Sequence, residues 1–69
     1  MEAYQERVVV EAQELEDKII KLKGFIGGSE VFKEMERSDQ MLLKLQLAQM
    51  NMYLETLGNR IVRFNKEAR

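Results

Sequence analysis

The sequence predicts an all-α fold, an antiparallel two-helix hairpin with a short connecting helix. Two observations carry this expectation. Apolar residues recur at alternating spacings of four and three along two long stretches, and a small-residue joint, Gly27-Gly28-Ser29, separates them. The 69 residues, 45% hydrophobic and 33% charged with no proline, suit one small helical domain over 1–69 better than a disordered tail.

Helix one is expected from about Ala3 to Phe25. Its apolar face is Val8, Ala12, Leu15, Ile19, Leu22 and Ile26, one stripe of an α-helix. The β-branched run Val8-Val9-Val10 lowers local helix propensity by a few tenths of a kcal/mol per residue, roughly, so burial must hold that turn. Gly27-Gly28 is expected to end the helix, because glycine takes a left-handed terminal conformation without a Cβ clash. Ser29 then caps a short segment, Glu30 to Glu36, whose Val31, Phe32 and Met35 are placed to close the end of the core.

Ser38 is the expected cap of helix two, with Asp39 in the first turn, where a carboxylate complements the helix dipole. That helix runs from about Asp39 to Asn65. Its stripe of Leu43, Leu47, Met50, Leu54, Leu57, Ile61 and Phe64 keeps a seven-residue repeat. Gly58 interrupts it at a helix cost of about 0.8–1.0 kcal/mol relative to alanine, which points to a close backbone approach there.

The residue types that are missing narrow the function. Without cysteine or histidine there is no disulfide frame, thiol nucleophile, usual general base or zinc-finger ligand set. No metal site, cofactor or enzymatic activity is expected. A formal charge of −1 provides no broad basic surface for DNA. The longest apolar runs, such as Met41-Leu42-Leu43, are three residues, so no membrane span or signal-peptide core is expected and the cytoplasm is the default compartment.

Many apolar residues do not fit the two facing stripes: Val9, Val10, Ile20, Met41, Leu42, Leu45, Met52, Tyr53 and Val62. A two-helix unit has no second layer to cover them. Below about 70–80 residues a single core rarely supplies more than about 3–5 kcal/mol, so an obligate homo-oligomer is expected.

Two polar constellations have both a structural and a functional reading. Tyr4, Arg7, Glu11, Glu14, Lys18 and Lys21 share one stripe of helix one. Structurally, Arg7–Glu11 and Glu14–Lys18 are i,i+4 ion pairs worth about 0.2–0.5 kcal/mol each, and Tyr4 is a contact at a helix end. Functionally, Tyr4 and Lys18 lie about 21 Å apart along the axis and cannot grip one small ligand within a single chain. Antiparallel helices from two subunits would instead bring an aromatic face for a base beside an ammonium for a phosphate. On helix two, Arg60 and Arg63 follow Asn59, with Lys66 and Arg69 beyond. Such cations complement the end of a helix dipole, or they converge from several subunits on a multiply charged anion.

Taken in order, Tyr4-Gln5-Glu6-Arg7-Val8, Leu15-Glu16-Asp17-Lys18-Ile19, Lys21-Leu22, Phe25-Ile26, Gln46-Leu47, Met50, Tyr53 and Leu57-Gly58-Asn59-Arg60-Ile61 resemble the helical hairpin of phage anti-CBASS nucleotide sponges, a hairpin shared with phage anti-Thoeris sponges. The resemblance covers nearly the whole chain. It implies a compact hexamer that sequesters cyclic oligonucleotide signals in the cytoplasm of an infected bacterial host, without chemistry. By position it implies that Tyr4 and Lys18, with Arg7 on the same stripe, contact cyclic dinucleotides between subunits, and that Arg60 reaches cyclic trinucleotides at separate pockets. One departure stands out: Ile19 and Ile20 follow Lys18 where the family can place a small hydroxyl residue. The competing reading is a structural helical-hairpin module that oligomerises or docks on a partner's helices with no small ligand.

Overall fold

The computed structural model describes residues 1–67 and contains three helices: α1 Ala3–Gly28, α2 Glu30–Glu34 and α3 Arg37–Glu67. Helices α1 and α3 pack along their length as a hairpin, forming a rod of 52 × 15 × 15 Å. Its thickness is that of two helices laid side by side.

Every residue of the two expected stripes faces the seam, buried or half-buried. The central cluster is Val8, Leu57 and Phe64, with Ala12, Leu15 and Ile61 packed against it; Leu57 is 0% exposed. The buried Val8 holds the β-branched turn against α3. The start of α1 is fixed by Gln5, whose Oε1 accepts the Glu2 backbone N–H at 3.0 Å.

The joint departs from expectation in several ways. Gly27 and Gly28 lie inside α1, and no glycine among the described residues has positive φ. The chain turns at Ser29, extended at φ −84° and ψ 131°, so no left-handed residue is required. Ser29 also caps α2 as expected, its Oγ accepting the Val31 N–H at 3.1 Å. Helix α2 is two residues shorter than predicted, because Met35 is extended and begins the second turn. Phe32 is buried edge-to-face against Phe25 with ring centroids 5.9 Å apart, and Met35 is half-buried, but Val31 points outward and does not close the core.

Helix α3 starts at Arg37, two residues before the expected point. The Gln40 N–H donates to the Glu36 carbonyl, so Ser38 sits within the first turn and is not its cap. Asp39 does occupy the first turn. The joint is tied by Gln40, whose Nε2 donates to the carbonyls of Phe32 at 2.7 Å and Lys33 at 3.3 Å at the end of α2, the Phe32 carbonyl also accepting the Met35 N–H.

No close approach exists at Gly58 within this chain, since a Cβ there would meet nothing within 4 Å. Of the apolar residues left off the stripes, only Val9 is half-buried; Val10, Ile20, Met41, Leu42, Leu45, Met52, Tyr53 and Val62 are all exposed, Met52 at 70%.

Leu57→Ala should lower unfolding stability by about 2–5 kcal/mol, because its whole side chain sits in the seam. Urea titration followed by circular dichroism measures this, and a loss below about 1 kcal/mol would place the stabilising core elsewhere.

Candidate functional site

The level of one helix against the other is marked by a hydrogen bond across the seam, from the Tyr53 hydroxyl on α3 to the Glu11 carboxylate on α1. Because the helices are antiparallel, one heptad toward the start of α1 and one toward the end of α3 brings Tyr4 level with Arg60. One heptad the other way brings Lys18 level with Gln46. Each step is about 10.5 Å along the rod, and residues a heptad apart stay on one side of a helix. Tyr4, Glu11 and Lys18 from α1 therefore share a flank with Arg60, Tyr53 and Gln46 from α3.

This arrangement brings Arg60 to the flank and level of Tyr4. Lys18 lies two heptads away, about 21 Å, so no single chain closes all three around a small ligand. Arg7 sits farther round α1, in a shallow depression lined by Ala3, Glu6, Val10, Glu11 and Glu14, all from the one helix.

The Tyr4 ring packs edge-to-face on Phe64 with centroids 5.8 Å apart, and its hydroxyl accepts from Gln5 Nε2 at 3.4 Å. The expected helix-end contact is present, yet the residue remains 48% exposed. Lys18, Arg7 and Arg60 are exposed as well.

The expected Arg7–Glu11 and Glu14–Lys18 pairs do not form; among the described residues the ion pair is Glu30–Lys33 at 3.2 Å. Glu11 is engaged by Tyr53 instead. Exposed i,i+4 pairs contribute little, so a hydrogen bond from α3 readily displaces one. Arg69 lies outside the described residues.

The Tyr53 phenol titrates above its ordinary value. The cause is first its hydrogen bond to Glu11, which holds the proton, then desolvation and the Glu11 charge, with Arg60 opposing them. Arg60 follows Tyr53 by one heptad on α3 and so lies on the same flank, about 10.5 Å along the axis. Sequence reading missed Glu11–Tyr53 as a pair; the available signal was that both residues border their stripes on the side facing the partner helix.

A family model described as Sequestin matches residues 2–63. The chain belongs to the Sequestin family. The match spans α1, α2 and most of α3, including Tyr4, Arg7, Lys18, Tyr53 and Arg60, and it agrees with the resemblance to phage nucleotide sponges. Neither the comparison with curated proteins nor that with solved structures gave a match. Among the described residues no group of three or more acidic, cysteine or histidine side chains is placed to hold a metal ion. No described helix is long and apolar enough to cross a membrane.

Because folding holds the Tyr53 proton more tightly, the stabilisation linked to that proton is complete below the ordinary phenol pKa and is lost as the pH rises through the raised folded value. In Glu11→Ala the tyrosinate absorbance of Tyr53 should emerge at lower pH than in the unaltered protein. Identical titration curves would mean that the two side chains are not bonded in solution.

Proposed function

We propose that this protein assembles into a homo-oligomer, a hexamer, and at its subunit junctions binds and sequesters cyclic dinucleotides, and in a second pocket cyclic trinucleotides, without cleaving them. The observation that carries this reading is the gathering of Tyr4, Lys18 and Arg60 on one flank of a rod too thin to enclose anything. Two such flanks laid antiparallel bring the Tyr4 of one chain toward the Lys18 of another. That pairing offers an aromatic face for a base and an ammonium for a phosphate, and two-fold symmetry doubles it to match a ligand with two of each.

The family's name denotes sequestration, which agrees with binding without turnover. The missing histidine and cysteine point the same way, since an open helical face offers no desolvated acid or base. The exposed apolar residues on both helices, among them the neighbouring Met41, Leu42 and Leu45, support assembly, because exposed apolar patches mark interaction faces. Arg7 lies beside the dinucleotide site as a supporting cation. Arg60 is the anion clamp of the second pocket, and exposed Ile20 stands near Lys18 where the family can carry a hydroxyl. The setting of such a role is the cytoplasm of an infected bacterial host, where removal of the signal starves antiviral effectors.

The same exposed apolar residues also favour a second reading, a structural module that docks on helices of a partner protein. Titration calorimetry separates the two. The sponge reading predicts binding of a cyclic dinucleotide that is recovered unaltered after heat denaturation. It also predicts at least a tenfold loss of affinity in Lys18→Ala with the oligomer intact, about the value of one desolvated charge-assisted hydrogen bond. Absence of heat with every cyclic di- and trinucleotide tried would leave the docking module as the better account.

A further inference from the structure

We infer that Tyr53 is a further ligand-contacting residue of this flank, its ring presented by Glu11 as a stacking surface for a base, between the level of Tyr4 and Arg60 and the level of Lys18. The inference rests on the proposed function and adds to it a residue and a role.

The chain has five aromatic residues, two tyrosines and three phenylalanines. Phe64 and Phe32 are buried and Phe25 is half-buried, each in an edge-to-face pair. Only Tyr4 and Tyr53 present substantial ring surface, at 48% and 47% exposure, and both stand on the same flank. A base-stacking platform has no other candidates among these side chains.

Tyr53 is better suited to that task than exposure alone would make it. Its hydroxyl is already satisfied by Glu11 on the opposite helix, so the surface left open is mainly the apolar ring. A side chain pinned from across the seam loses little rotamer freedom when a base settles on it. The exposed Leu42, Leu45 and Met52 have no comparable polar anchor among the described residues and offer no π-face. Arg60, one heptad farther along α3, stands on the same flank about 10.5 Å from Tyr53 along the axis.

The test compares Tyr53→Leu and Tyr53→Phe with the unaltered full chain, by calorimetry with a cyclic dinucleotide and a cyclic trinucleotide and by sedimentation. Tyr53→Leu should lower affinity for the bound ligand by about tenfold or more, the range of a lost base–aromatic stack, with sedimentation unchanged. Tyr53→Phe keeps the ring and should stay within about threefold, having lost only its anchor. Unchanged affinity in Tyr53→Leu overturns the inference. So does dissociation of the assembly, which would assign the ring to a subunit contact, and so does an equal loss in Tyr53→Phe, which would assign the effect to the hydroxyl. Unaltered protein that binds neither ligand removes the proposed function itself, and this inference with it, whereas a binding parent and an unaffected Tyr53→Leu remove the inference alone.

Discussion

A single apolar seam between two helices holds this molecule together, and the rest of its behaviour follows from how little one seam can cover. Leu57 at its centre is fully buried, with Val8 and Phe64 nearly so, while most other stripe residues are only half-covered. A rod 15 Å across has no second layer to complete the burial. The same thinness removes any interior in which a ligand could be enclosed or a carboxylate desolvated. Burial and binding therefore both call for a second surface, and the proposed function takes that surface from another copy.

The seam was legible from sequence because a seven-residue repeat fixes which side of each helix is apolar, and every stripe residue from Val8 to Phe64 faces inward. The joint was less so. Glycine next to serine suggested a left-handed ending at Gly27-Gly28, but the backbone turns in extended conformation at Ser29 and Met35. Turn geometry there depends on where α3 must begin to meet α1, and on Gln40 reaching back to the carbonyls of α2. Those are relations between elements, and a local reading of Ser38 as a cap contains none of them.

The polar flank shows the same division. Placement of Tyr4, Arg7 and Lys18 along one stripe of α1 followed from helical spacing alone. The level of α3 against α1 did not, and it is that level which brings Arg60 beside Tyr4 on the flank. Glu11 was assigned to a neighbour four residues away, whereas its partner is 42 residues distant across the seam. A weak exposed ion pair is a poor guide to where a carboxylate points when another helix supplies a hydroxyl. The space beside Gly58 is open in this chain, so the close approach expected there is not made by α1 or α2.

The most direct test of the central claim is sedimentation equilibrium combined with circular dichroism over a dilution series from high micromolar to low nanomolar chain. The account predicts one assembled species with full helicity at the concentrated end, and loss of helical signal over the same range in which the assembly dissociates. A monomer that keeps its full helicity throughout would contradict it, because such a chain would be stable on one seam alone.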